Sequence, residues 1–92
     1  MKRDKELKFQ IEGDVARGRY TNMAVIAHTR NEFVLDFAFA APRQGPAVVA
    51  RLVTSPGHAK ALLRSLEDNI RRYEARHGTI PEATPDSGSE PN

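Results

Sequence analysis

A chain of 92 residues holds one domain at most. The absence of Cys excludes a disulfide framework, a thiolate metal site and a Cys nucleophile. A net charge of +2 falls short of the dense basic face of a dedicated nucleic-acid binder.

The N-terminus, Met1-Lys2-Arg3-Asp4-Lys5-Glu6-Leu7-Lys8, lacks the apolar stretch of a secretory signal, and no apolar run approaches the ~18 residues of a membrane span. The expected location is therefore the cytoplasm, which also suits a Cys-free chain. Residues 1–5 are expected to fray. Leu7-Lys8-Phe9-Gln10-Ile11-Glu12 alternates apolar and polar side chains and predicts a half-buried first strand. A short connection through Gly13-Asp14 and Arg17-Gly18 leads to a second strand over 19–29, carrying Tyr20, Met23, Val25 and Ile26. Arg30-Asn31 reads as a tight hairpin turn, although the Gly that usually follows Asn in such turns is missing. Phe33–Ala41 is the strongest strand signal. Residues 41–46, with Pro42, Gly45 and Pro46, read as a six-residue loop before a fourth strand over Val48–Thr54.

After the fourth strand the period changes from two to 3.6. Ser55-Pro56 is a helix start, with Ser as N-cap and Pro in the first turn. Ala59, Leu62, Leu63, Leu66, Ile70 and Tyr73 then form one apolar stripe. Gly78 suits the helix end and Pro81 prevents resumption, giving a helix of about 22 residues, roughly 33 Å long. Glu67 with Arg71 and Asp68 with Arg72 stand at i,i+4 spacing. Residues 79–92 hold three prolines and three acids with no base, so they are expected to form a disordered acidic tail. The folding unit is accordingly 6–78. Since the tail carries −3 of the +2 total, the rest of the chain carries +5.

A two-residue turn at Arg30-Asn31 places His28 opposite Phe33, Ile26 opposite Leu35 and Ala24 opposite Phe37. Asp36 and Arg51 are the charges inside otherwise apolar strands, and a buried lone charge is costly, so they are expected to face each other. That register sets Phe37 against Ala50, Leu35 against Leu52, Val34 against Val53, Ala38 against Val49 and Phe39 against Val48. One sheet face then gathers Phe33, Leu35, Phe37 and Phe39, while the other gathers Met23, Val25, Val34, Val49 and Val53 around Asp36 and Arg51. The expected architecture is α+β, a four-stranded antiparallel β-meander followed by one long C-terminal helix packed on one face, the Phe face; the alternative is a helix on the Val face, with the Phe face self-associating. One helix covers one face, so the other, with Met23, Val25, Val34, Asp36, Val49, Arg51 and Val53, is the candidate self-association surface of a homo-oligomer, a dimer or higher.

Chemistry is sparse. His28, His58 and His77 lack the spacing of a helical zinc site, and there is no Gly-rich phosphate loop or Ser nucleophile elbow. No metal or cofactor is expected, and no enzyme. Burial would raise the pKa of Asp36 unless Arg51 offsets it. Asn69 is read as falling inside the apolar stripe, between Leu62 and Leu66 on one side and Tyr73 on the other, where a buried amide needs partners; it and Ser55 are the candidate structural polar residues. Lys60, Arg64, Arg71 and Arg72 on the helix, with Lys2, Arg3, Lys5 and Lys8, are the candidate nucleic-acid contacts, although Glu67, Asp68 and Glu74 are interspersed.

Several words of the sequence carry a resemblance. They are Tyr20-x-Asn22, Glu32-Phe33-Val34-Leu35-Asp36-Phe37, Thr54-Ser55-Pro56-x-His58-Ala59-Lys60-x-Leu62-Leu63, and Leu66-x-x-Asn69-Ile70-x-x-Tyr73-Glu74 with Gly78. Over about 7–80 the chain resembles a family of small bacterial and archaeal proteins known as a domain of unknown function, number three-four-six-seven in that series. The resemblance implies no activity and carries over no catalytic residue. The order of strands and then one long helix is also similar to the protomer of the SecB export chaperone, at the level of topology. The expected function is a non-enzymatic oligomeric interaction module, an adaptor or chaperone-like binder with a possible protein partner. The alternative is a weak nucleic-acid-binding protein.

Overall fold

The structure is a computed structural model that describes residues 8–82. The expected fraying of 1–5 and the tail beyond 82 lie outside the described residues. In chain order the elements are α1 (Gly13–Arg17), β1 (Met23–His28), β2 (Phe33–Ala41), β3 (Gln44–Thr54) and α2 (Pro56–His77). The sheet has three strands in the order β1-β2-β3, both pairings antiparallel.

The expected first strand is a correction. Residues 8–12 form neither helix nor strand, and Phe9 is 86% exposed. Alternation selects a face, but a strand also needs a ladder, and this segment runs into α1 instead. Asp14 sits in the first turn of α1 and bonds Arg17 at 3.0 Å. Gly18 ends the helix at φ 75°, a conformation that favours glycine, and its N–H donates to the Val15 carbonyl at 3.0 Å.

The β1–β2 hairpin has the expected register, with His28 opposite Phe33 and Ala24 opposite Phe37. Its two-residue loop is closed by Thr29 N–H donating to the Glu32 carbonyl at 2.9 Å. Neither Arg30 nor Asn31 has positive φ. The Thr29 hydroxyl supplies the missing turn chemistry, since it accepts from the backbone N–H of Asn31 at 3.3 Å and of Glu32 at 3.2 Å.

The β2–β3 hairpin is tighter than the expected six-residue loop. Ala41 pairs with Gln44, leaving Pro42-Arg43 as the turn. Pro42 presets its own φ, and Arg43 takes φ 71°, the position that usually selects Gly or Asn. Gly45 and Pro46 therefore lie inside β3. An edge strand tolerates them because one of its sides is not in the ladder.

Asp36 faces Arg51, Leu35 faces Leu52 and Phe37 faces Ala50, as expected. Beyond that point a bulge intervenes. Ala38 pairs with Val48 and Phe39 with Ala47, so Val49 is the extra residue.

The helix is the largest departure. Its boundaries and caps are as expected. Ser55 Oγ accepts from His58 N–H at 3.1 Å, and Gly78 at φ 99° donates its N–H to the Glu74 carbonyl at 2.9 Å. It does not, however, pack on the Phe face. Leu63 is 56% exposed and Leu66 55%, and Leu62, Ile70 and Tyr73 are exposed as well. Ala38 is the one buried residue among those described. Past the helix, residues 79–82 are irregular, and Ile80 N–H donates to Glu74 Oε2 at 2.8 Å.

Candidate functional site

The centre of one sheet face is the Asp36–Arg51 pair, positioned by two adjacent strands in direct register. Arg51 Nε donates to Asp36 Oδ1 at 2.7 Å and Arg51 Nη2 to Asp36 Oδ2 at 2.8 Å, a bidentate pair. The guanidinium hydrogen bonds hold the Asp36 carboxyl below its ordinary range, outweighing the desolvation that acts the other way, and the carboxylate raises Arg51 in return. The Asp36 side chain is 19% exposed and that of Arg51 66%, so the pair lies at the surface of the single chain.

Around this pair, Val25 and Val53 are exposed and Met23 and Val34 are half-buried. Val49 leaves the group. The bulge pairs Val48 with Ala38 in its place, and Val49 lines a groove together with Phe37, Ala50 and Leu52 on the opposite face. The residues brought together on the Asp36 face are thus Met23, Val25, Val34, Arg51 and Val53, with the exposed Val48 added.

The Phe face has a partial lid. Tyr20 meets the Phe39 ring edge-on at 6.0 Å between centroids, which anchors the segment after α1 over the sheet. Between that segment and the strands lies an open groove of about 510 Å³, whose lining includes Val15, Thr21, Phe37, Val49 and Leu52. At the far end of the same face His28 stacks on Phe33 at 5.4 Å.

The polar residues of α2 take local partners. Asn69 is exposed, and its Nδ2 donates to the carbonyl of Ser65, four residues back in the same helix, at 3.0 Å. It is neither buried nor bonded to the sheet. Of the expected helical ion pairs, Asp68–Arg72 closes at 2.6 Å and Glu67–Arg71 does not. Arg72 is therefore engaged with a carboxylate, whereas Lys60, Arg64 and Arg71 project within about 40° of one another on the wheel.

Residues 1–82 match the family described as protein of unknown function, DUF3467. The chain belongs to that family. No curated protein and no solved structure matches it.

Two features of this DUF3467 chain were missed by reading the sequence alone. Asn22 clasps the β1–β2 edge. Its Nδ2 donates to the Ala40 carbonyl at 3.0 Å, its Oδ1 accepts from Ala40 N–H at 3.0 Å, and its own N–H donates to the Ala38 carbonyl at 3.1 Å. This side chain imitates one more backbone residue of the ladder, which explains why β1 begins at Met23 rather than 19. The Tyr20-x-Asn22 word carried the signal. The second feature is a hydrogen bond between Thr54 Oγ1 and His58 Nδ1, 2.6 Å apart, at the β3–α2 junction. With the Ser55 cap, it fixes the last residue of the strand to the first turn of the helix.

Chemically, the arrangement offers surfaces more than a reacting centre. The Asp36 carboxylate is occupied by Arg51, and no group of three or more His, Asp or Glu side chains could hold a metal among the described residues. No helix among the described residues is long and apolar enough to cross a membrane.

Proposed function

We propose that this protein is a non-enzymatic, homo-oligomeric interaction module, an adaptor or chaperone-like binder of the cytoplasm. The observation that supports it is the apolar stripe of α2, which stays exposed from Leu62 to Tyr73 while the Asp36 face of the sheet also lies open. A monomer seldom exposes two such surfaces. Self-association through the Asp36 face, with Val25, Val34, Val48 and Val53 meeting their copies, would take the bidentate pair out of water. There the Arg–carboxylate fork would fix register more than it adds affinity. Any apolar surface that the oligomer leaves open is where a protein client would bind.

A second reading, weak binding of nucleic acid, draws on the exposed row of Lys60, Arg64 and Arg71. Glu67 and Glu74 flank that row on the helix and oppose phosphate. The two readings separate in a titration of a labelled oligonucleotide, followed by anisotropy at about 50 and about 200 mM salt. The proposal expects negligible binding at both. Micromolar affinity that weakens steeply with salt would favour nucleic acid.

A further inference from the structure

We infer that two copies of this chain exchange their C-terminal helices, α2 of each lying across the Phe face of the other, in the groove beneath α1. The inference rests on the self-association proposed above and adds to it a second contact, on the sheet face opposite Asp36. The junction carries it first. A single residue, Ser55, separates Thr54 at the end of β3 from Pro56 at the start of α2, and its backbone is extended at φ −78°, ψ 158°. Connections that turn a strand into a helix packed on the same sheet take ~2–6 residues. Here the Ser55 cap and the 2.6 Å Thr54–His58 hydrogen bond pin the turn further. The helix is thus held off its own sheet, with its stripe uncovered.

The two surfaces match in kind and in size. The stripe of Leu62, Leu63, Leu66, Ile70 and Tyr73 spans about 100° of the helix, the width that packs on a sheet. A helix of 22 residues is about 33 Å long, and a β3 strand of 11 residues spans about 36 Å. The groove that would receive it is already shaped, with Val15 on one wall and Phe37, Val49 and Leu52 on its floor.

Both surfaces are open to be buried. On the sheet Leu52 is 56% and Phe39 40% exposed, and on the helix Leu63 is 56% and Leu66 55% exposed. Exchange covers each of them twice over by symmetry, on the scale of the ~800 Å² per partner of a stable interface. A second copy also supplies both halves of the contact at once, which a foreign partner would have to provide separately. β3 is an open edge as well, but Pro46 and the bulge at Val49 interrupt it, so edge-to-edge pairing is the poorer use of a second chain.

Isotope-filtered NOE spectroscopy on an equimolar mixture of ¹³C-labelled and unlabelled full-length chains tests the exchange without mutation and whatever the register. Exchange predicts interchain NOEs from the methyls of Leu62, Leu66 or Ile70 to the rings of Phe33, Phe37 or Phe39. Finding those NOEs only within one chain would overturn it, because the helix would then fold back on its own sheet. Interchain NOEs confined to sheet against sheet, or helix against helix, would also overturn it while leaving self-association standing. No interchain NOE of any kind would remove both.

Discussion

The sheet and the long helix differ in what completes them. β2 is bonded on both sides, to β1 and to β3, and side chains add to the ladder at each end, Asn22 against Ala40 and Thr29 beneath the first turn. α2 satisfies its backbone internally and has a cap at each end, yet its apolar side chains meet almost nothing. A helix of this length without Ala-rich composition is marginal in water on its own. Local signals therefore specify where α2 starts and stops, and in the proposed exchange a second chain supplies the surface that covers its stripe.

That contrast can be broken first at the helix. Leu62→Asp with Leu66→Asp places two charges in the stripe. It should weaken self-association by roughly 100-fold or more, equivalent to about 3 kcal/mol, and lower helicity as the dimer dissociates. Sedimentation and far-UV circular dichroism read both effects. The same double change should leave a rigid self-sufficient monomer nearly untouched.

Acid probes the sheet. The pKa of Asp36 is lowered in the folded chain, so its contribution is complete above its ordinary value of about 3.9 and is lost as pH falls through the lowered value. Thermal unfolding midpoints should fall over that acid limb, and Asp36→Asn should flatten it. An unchanged acid limb in the variant would show that the pair contributes nothing to stability. Leucine at both Asp36 and Arg51 should preserve self-association better than Asp36→Leu alone, because the single change leaves the guanidinium unpaired beneath a partner.

Smaller changes sharpen the comparison. Asn22→Ala removes two side-chain hydrogen bonds at the edge of the ladder and should cost about 1–2 kcal/mol in denaturant unfolding. Ser55→Ala removes the α2 cap and should cost about 1 kcal/mol, together with looser coupling at the strand–helix junction. Arg43→Gly should stabilise by about 0.5 kcal/mol, since relief of the left-handed backbone slightly exceeds the entropy that glycine adds to the unfolded chain.

The sequence made some of this legible for identifiable reasons. The Asp36–Arg51 pairing anchored the β2–β3 register because two lone charges in apolar strands have few inexpensive arrangements. The β1–β2 register followed from a two-residue loop. The bulge was hidden because Ala47-Val48-Val49-Ala50 has no polar residue to mark which side chain changes face. The second turn was obscured by Gly45 and Pro46, loop formers in most settings that an edge strand accommodates. The alternation of Leu7–Glu12 suggested a strand for which the described chain provides no neighbour. The stripe of α2 marked an apolar face and, in a short chain, was naturally assigned to the chain's own sheet. It carries no sign of the junction, where one capped residue joins β3 to α2 and the stripe stays exposed. Asn69 was read as a buried polar residue inside the stripe, but the stripe is exposed and the amide takes the Ser65 carbonyl of its own helix instead.

Sedimentation equilibrium of the full-length protein at tens of micromolar, with helicity followed in the same samples on dilution, tests the central claim most directly. The account predicts a dimer or larger species whose dissociation is accompanied by loss of helical signal. A 10.2-kDa monomer that keeps its full helicity at every concentration would contradict it.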